Sequence, residues 1–178
     1  MGEFSVWKNE TDVIKESINM LNINIVCVGK LKEKYLKEAI EEYSKRLKRY
    51  CNLRIIEIQD EKLPDKLYES LLNEVREKEC KKINENIKGD SYIIALDLKG
   101  KEYTSEQLSK KIEEISLINS TITFIIGGTL GLNDDIRRIS NEQICFSKMT
   151  FPHQLIRIFL VEQLYRAFKI SNNETYHW

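Results

Sequence analysis

The chain has 178 residues, of which 42% are hydrophobic, enough for one compact domain with a substantial core and too few for two large ones. Its 28 lysine and arginine residues equal its 28 aspartate and glutamate residues, so no overall field attracts it to nucleic acid or to an anionic membrane. Any polyanionic partner must therefore be met by a local basic patch, or by a surface built from more than one chain.

Cysteine spacing and the lengths of apolar runs exclude further classes of protein. The four cysteines are far apart and form no CxxC pair, which argues against a metal site or a disulfide framework and favours a reducing compartment. No apolar run reaches about 20 residues, the length that spans a bilayer, and no signal peptide is visible. We therefore expect a cytoplasmic protein without metal and without membrane contact. Residues 1–19 are polar and precede Met20, so we interpret them as an appendage, either an upstream start or a cloning remnant.

Apolar segments of β type alternate with helical patterns from Met20 onward. In chain order they are a strand at 23–28, a helix at 32–50, a strand at 53–58, a charged helix at 65–87, a strand at 91–98, a helix from Thr104 or Ser105 to 118, a strand at 121–128, a short helix over NDDIRRIS, a strand over QICFS and a helix from Pro152 to 170. Strict alternation predicts an α/β fold with a parallel sheet covered on both faces, within a single domain over residues 20–178. Ligands of such sheets bind beyond the carboxyl ends of the strands.

The loop after the first strand reads VGKLKEKY and contains neither a GxGxxG fingerprint nor a GxxxxGK[ST] phosphate loop. The helix after it ends in a basic run, Lys45, Arg46, Lys48 and Arg49. Cations also favour the negative end of the helix dipole, so the run is explained equally well by the helix and by an RNA contact. After the third strand, Asp97 is compatible with a ribose contact or with an ordinary strand end.

The loop after the fourth strand is richer in information. Gly127, Gly128 and Gly131 follow a buried strand directly, which lets the backbone turn sharply and approach a ligand or another segment closely. One glycine is explained by a tight turn, but three in five positions are not. The loop lacks basic residues, so its ligand is not a bare phosphate.

The stretch SKMTFPHQ leads into the last helix. Proline suits a first helical turn, and His153 lies at the positive end of the helix dipole, which favours a neutral ring near pH 7. The helix itself is apolar nearly all round, with Glu162 and Arg166 embedded at i, i+4 spacing. An intrahelical ion pair explains these two residues, as does an arginine aimed at a charged substrate from a subunit interface. Tyr176 and His177, near the end of the chain, offer surfaces that can hold an unstacked RNA base.

Four segments together resemble one family closely: VGKLKEKYLKEAIEEYSKRL, FIIGG with the glycine three positions further on, FSKMTFPHQLIRIFLVEQLYRAFKI and the closing YH. They resemble the bacterial ribosomal RNA large subunit methyltransferase H family, of the SPOUT class with its C-terminal trefoil knot. The match covers residues 20–177. Two departures are a terminal Trp178 where a basic residue is expected, and residues 1–19, which the family pattern lacks.

The resemblance implies an S-adenosylmethionine-dependent enzyme that methylates N3 of a pseudouridine in 23S ribosomal RNA, acting as a homodimer on assembled 70S ribosomes. It places His153 as base or orienting group, and Arg166, Tyr176 and His177 on the target base and phosphate, reaching across the dimer. The residues that it places on the cofactor are Leu96, Gly127, Gly128, Phe146, Ser147, Lys148, Met149, Thr150 and Phe151. Two alternatives remain, a ribosome-binding or assembly factor without catalysis and a knotted enzyme acting on transfer RNA.

Overall fold

Five parallel strands form one sheet in residues 20–176, the part of the chain that the computed structural model describes. Strands β1 to β5 span Leu21–Val28, Cys51–Ile58, Tyr92–Glu102, Thr121–Ile126 and Glu142–Cys145. Their spatial order is β2-β1-β4-β3-β5, and every adjacent pair is parallel. The predicted α/β fold with a parallel sheet is confirmed. Residues 1–19, interpreted above as an appendage, lie outside the described residues, as do 177 and 178.

Five helices cover the two faces of this sheet. Helices α1 to α5 span Lys34–Leu47, Glu69–Glu85, Ser105–Ser116, Asp134–Ile139 and His153–Ser171. Helices α1, α3 and α5 share one core with Ile23 and Ile25 of β1, whereas α2 and α4 share a second core with Val26 and Val28. Because successive side chains of a strand point to opposite faces, β1 carries apolar side chains on both of its faces, as the sequence indicated, with Asn22 and Asn24 as its polar residues. None of the helices in residues 20–176 is long and apolar enough to cross a membrane.

Strand β3 is longer than the sequence predicts. The sequence predicts a strand that ends at residue 98, so that KGKE would turn the chain, but the strand continues to Glu102. Thr104 then caps α3 in a capping box with Gln107. The continuation is possible because β3 bulges between its two pairings with β5. Ile144 lies opposite both Leu96 and Lys101, so the four residues between them leave the ladder and project beyond it.

Gly100 ends this bulge and lies directly against the backbone of β5. A Cβ atom at this position would be 2.6 Å from the carbonyl carbon of Gln143 and 2.7 Å from that of Ile144. Backbone atoms cannot move aside as a flexible side chain can, so a methyl group here must displace a strand.

We therefore expect Gly100→Ala to lower the free energy of unfolding by about 1–3 kcal/mol, as overpacking does in other cores. Urea denaturation followed by circular dichroism measures this difference. Gly89→Ala is the matched control, because a Cβ at position 89 meets nothing within 4 Å and its stability should change little. Equal stability of the two variants would contradict the close approach of β3 and β5.

Candidate functional site

A cleft of about 720 Å³ opens at the carboxyl ends of β3, β4 and β5. Its walls are formed by residues 96–99, 126–132 and 144–153, which correspond to the segments after the third, fourth and fifth predicted strands. The loop after β1 does not line it. His153 lines the cleft, and Lys148 lies in the third loop without lining it. The predicted cofactor residues that line it are Leu96, Gly127, Gly128, Phe146, Ser147, Met149, Thr150 and Phe151. The structure thus brings residues from three separate parts of the sequence to one site.

The glycine loop can form a wall of this cleft because its backbone is packed without side chains. A Cβ at Gly128 would be 2.9 Å from Val28 Cγ1 and 3.1 Å from Glu79 Oε2. Gly131 has a φ of +72°, in the left-handed region that favours glycine, and its N–H donates to the Gly128 carbonyl at 3.0 Å. Bare backbone therefore faces the cleft at this point, which is a surface that a ligand can approach closely.

Glu79 is a buried carboxyl group of α2 that lies behind the glycine loop. It is only 5% exposed, and its Oε1 accepts a hydrogen bond of 3.2 Å from the Glu61 N–H. Burial raises the pKa of Glu79 above its ordinary 4.5, and the negative charges of Asp60 and Glu61 add to this, while the Glu61 N–H and Lys82 act in the opposite direction. Since the folded pKa exceeds the unfolded one, Glu79 favours the folded state below pH 4.5 and loses that contribution as the pH rises through the folded pKa.

Glu79→Gln removes the buried charge and keeps a side-chain oxygen for the Glu61 N–H. We expect this variant to be more stable than the wild type at pH 8, with the difference shrinking as the pH falls toward 4.5. Urea denaturation at several pH values measures the trend. Glu77→Gln, at an exposed position of the same helix, should show no such trend. A wild type that is the more stable protein at pH 8 would refute the assignment.

His153 begins α5 at one end of the cleft. Its pKa is lowered first because burial disfavours the charged ring, and then by the positive charges of Arg157 and Lys32, against the opposing effect of Asp60. The sequence predicted a neutral ring from the helix dipole; the direction agrees, but burial is the leading cause. The ring packs against Gly29, where a Cβ would come within 3.0 Å of Nε2. His153 is therefore a neutral, partly covered hydrogen-bonding group.

Arg157, one turn beyond His153, was missed by the sequence analysis. Its side chain is fully buried and donates from Nη2 to the carbonyls of Val28 and Gly29 at 2.8 and 2.7 Å. Its Nη1 binds Glu57 at 2.9 Å, and the same carboxylate oxygen accepts the Leu31 N–H at 2.9 Å. The Val28 and Gly29 carbonyls and the Leu31 N–H are thus paired within the protein, and Arg157 with Glu57 holds the loop after β1 in place.

An ion pair in the cleft wall was also not foreseen. Arg137 of α4 donates from Nε to Asp97 at 2.8 Å and from Nη1 to Asp134 at 2.7 Å. The other Asp97 oxygen accepts the Lys99 N–H at 2.9 Å, and the Asp97 side chain is only 7% exposed. Of the two interpretations left open for Asp97, these contacts favour a structural one, since the carboxylate fastens the β3 bulge to α4.

Arg166 and Tyr176 lie together but away from the cleft of their own chain. The predicted Glu162–Arg166 pair is present, at 2.8 Å, and the Tyr176 hydroxyl donates to the same Glu162 oxygen at 2.6 Å. The Arg166 guanidinium stacks 3.9 Å from the centre of the Tyr176 ring. Arg166 follows His153 by thirteen residues in one helix, which corresponds to about 20 Å. A single chain therefore does not bring the predicted catalytic residues together, and His177 lies outside the described residues.

Fold and cleft together define an α/β protein with a parallel sheet and, at its carboxyl edge, a cleft whose size and backbone-rich, apolar lining suit a small organic molecule. Among residues 20–176, no group of three or more His, Cys, Asp or Glu side chains is arranged to hold a metal ion.

Comparison with known proteins identifies the family. The sequence profile of the family described as "Predicted SPOUT methyltransferase" matches residues 21–177. Ribosomal RNA large subunit methyltransferase H 1 of Clostridium perfringens is 56% identical over 158 residues, and methyltransferase H of Clostridium acetobutylicum is 54% identical over 160; each alignment covers 88% of this chain and 99% of the relative. The chain belongs to the SPOUT methyltransferases and, within them, to the ribosomal RNA large subunit methyltransferase H family.

A solved structure supports the fold independently. A probable methylase family protein from Haemophilus influenzae superposes with a TM-score of 0.51 at 13% identity, over 89% of this chain and 71% of that chain. At this level of identity the likeness concerns the arrangement of strands and helices alone.

Proposed function

We propose that this protein uses S-adenosylmethionine to methylate N3 of a pseudouridine in 23S ribosomal RNA, acting on assembled ribosomes in the cytoplasm. The observation that carries the proposal is the three-loop cleft in a chain of this family. The names of the relatives specify the RNA of the large subunit, and the resemblance implies the nucleotide and the assembled substrate.

The cleft fits such a cofactor in size and in chemistry. Its 720 Å³ falls within the roughly 300–1,000 Å³ of ligand pockets, which are largely apolar with a few polar groups. Leu96, Gly127 and Gly128 would hold the cofactor through backbone groups, and residues 146–151, including Lys148, would enclose it. When bound, the cofactor supplies an activated methyl group, so the protein has to align the acceptor nitrogen and exclude water.

His153 is the proposed proton acceptor or orienting group. An imide nitrogen must lose its proton to accept a methyl group, and a neutral imidazole can take that proton or position the base by a hydrogen bond. Burial and the neighbouring Arg157 keep the pKa of His153 low, so the ring remains in the accepting form at neutral pH. Its place in the cleft wall puts it beside the region where the methyl group would be presented.

The remaining catalytic residues require a second copy of the chain. His153 and Arg166 are about 20 Å apart along α5, and the midpoint between them falls at Phe159 and Leu160. Phe159 is 37% exposed, and its ring packs edge-on at 5.4 Å against Phe151 of the cleft wall. If two α5 helices cross in opposite directions at Phe159, Arg166 of each chain lies beside His153 of the other. We therefore propose a homodimer whose two active sites are each built from both chains.

We also propose that residues 20–178 form one domain with a knotted C-terminal part. The support for the knot is membership of the SPOUT methyltransferases, since the resemblance implies a C-terminal trefoil knot.

The experiment that tests the proposed function is methyl transfer from labelled S-adenosylmethionine to ribosomes that lack the modification. Free subunits and transfer RNA serve as alternative substrates, and mass mapping locates the product. Incorporation at one pseudouridine of intact ribosomes supports the proposal. Incorporation into transfer RNA would instead favour the second enzyme, and loss of both transfer and cofactor binding would favour a binding factor.

A further inference from the structure

We propose that a strip of arginine and tyrosine side chains on the joined faces of α1 and α5 is the docking surface for the RNA that flanks the target nucleotide. The inference rests on the proposed function, because it assigns this surface to the same substrate. The cationic–aromatic strip, as we name it, consists of Tyr43, Arg46, Arg49, Tyr50, Tyr165, Arg166 and Tyr176.

The strip is continuous from α1 to the tail. The Arg46 guanidinium lies 5.6 Å from the centre of the Tyr43 ring and 5.8 Å from that of Tyr165. Tyr165 in turn packs edge-on against Tyr176 at 5.7 Å, and Tyr176 carries the stacked Arg166. Arg46 is therefore joined through aromatic rings to the arginine that we place at the methyl-transfer site.

Arg49 extends the strip in the other direction. Its guanidinium lies 4.6 Å from the centre of the Tyr50 ring, and Tyr50 packs edge-on against Tyr165 at 6.0 Å. Lys45, in the last turn of α1, and Lys48, directly after it, are also exposed. The basic run, for which the sequence left two explanations open, thus lies at one end of a surface whose other end reaches the proposed site.

Arg46 at the end of α1 and Arg49 in the turn after it remain available to a ligand although each has a carboxylate partner. The Arg46 side chain is 48% exposed and the Arg49 side chain 61%, and exposed ion pairs of this kind are weak. Within residues 20–176, Arg46 binds Glu42 through Nε alone, which leaves the N–H groups at the end of the guanidinium free. Free guanidinium N–H groups of this kind are the donors that bind phosphate oxygens.

RNA fits this strip better than an acidic protein does. Stacked arginines bind phosphates, and half-buried tyrosine rings next to them accept unpaired bases by stacking. Because tyrosine and arginine are also common at protein–protein interfaces, the choice of RNA rests on position. The strip is contiguous with Arg166, which the proposed function places on the target nucleotide, so the RNA on either side of that nucleotide is the ligand nearest to the strip. The chain has no net charge, so local attraction of this kind has to supply the affinity for a polyanion.

The test compares Arg46→Gln, Arg49→Gln and the double variant with Arg138→Gln. Arg138 is the matched control, because it is an exposed arginine of a short-range ion pair, with Asp135 of α4, outside the strip. Binding to unmodified ribosomes and to a synthetic RNA stem-loop is measured from low to high KCl concentration. Each strip substitution should weaken binding about fivefold, the scale of an exposed charge contact, and reduce the slope of log K against log salt by about 0.7–0.9. In methyl transfer the KM for ribosomes should rise while the affinity for S-adenosylmethionine is retained.

Three outcomes would overturn the inference. The first is an unchanged slope of log K against log salt in both strip variants, and the second is an equal loss of RNA affinity in Arg138→Gln. The third is a loss of affinity for ribosomes without a loss for naked RNA, which would assign the strip to a ribosomal protein. Circular dichroism and sedimentation of each variant exclude a trivial loss of folding or assembly. If the wild type transfers no methyl group yet binds RNA through Arg46 and Arg49, the proposed reaction fails while the docking surface stands.

Discussion

Replacing Arg166 with alanine should reduce methyl transfer to ribosomes by roughly 10²–10³-fold, the usual effect of removing a group that stabilises developing charge. Binding of S-adenosylmethionine should be unchanged, because Arg166 is proposed to hold the target base and phosphate, whereas the residues proposed to hold the cofactor lie in the three cleft loops. The variant should also fold, since Arg166 is partly exposed and its partner Glu162 retains the Tyr176 hydroxyl. Single-turnover transfer and calorimetric cofactor binding measure the two effects. An Arg166→Ala protein that methylates at the wild-type rate would remove Arg166 from the site.

The same variant tests whether the site is shared between chains. His153→Ala and Arg166→Ala should each be inactive alone, whereas mixed dimers contain one site with an intact His153 from one chain and an intact Arg166 from the other. Random reassociation of equal amounts should restore about a quarter of the wild-type activity. If each chain used its own His153 and Arg166, mixing would restore none.

The α/β fold could be predicted from the sequence because its strands and helices have local patterns of apolar residues that indicate them. Strand β1 has apolar residues directed to both faces, because Ile23 and Ile25 face one core while Val26 and Val28 face the other, as a parallel sheet covered on both sides requires. The error in β3, in contrast, has a long-range cause. Gly100 in KGKE indicates a turn, but the glycine is needed there because the backbone of β5 lies against it, a contact with residues some forty positions away.

The site was predictable to the extent that its residues have local signatures. The glycines of the second cleft loop follow a strand directly, and His153 adjoins a proline at a helix start. Arg157 and Arg137 have no such signature. Arg157 binds Glu57, 100 residues away, and two backbone carbonyls. The side-chain partner of Arg137 across the cleft wall, Asp97, is 40 residues away. Their environments exist only after the sheet has formed, so no periodicity indicates them.

Arg157 carries the second large prediction, which concerns stability. Arg157→Met keeps much of the side-chain stem but removes the donors to Val28 and Gly29 and the partner of Glu57. Each of the two buried carbonyls left without a donor costs about 1–3 kcal/mol, and loss of the ion pair with Glu57, whose side chain is 32% exposed, adds a smaller amount. We therefore expect urea denaturation to show a loss of this size, whereas Arg138→Met, at an exposed ion pair, should show almost none.

Two further measurements separate the buried pair from a general packing defect. In a double-mutant cycle, the double variant Glu57→Met/Arg157→Met should lose less free energy of unfolding than the sum of the two single variants. Once Arg157 is replaced, Glu57 has already lost its charged partner, so its own replacement costs less. The pKa of His153 should also rise in Arg157→Met, since the Arg157 charge helps to lower it, and NMR titration of the ring measures this. Additive energies together with an unchanged His153 titration would mean that Arg157 only fills space. A rise in the His153 pKa would instead connect the buried arginine to the proposed chemistry, because it would extend the pH range in which the ring is protonated and unable to accept a proton.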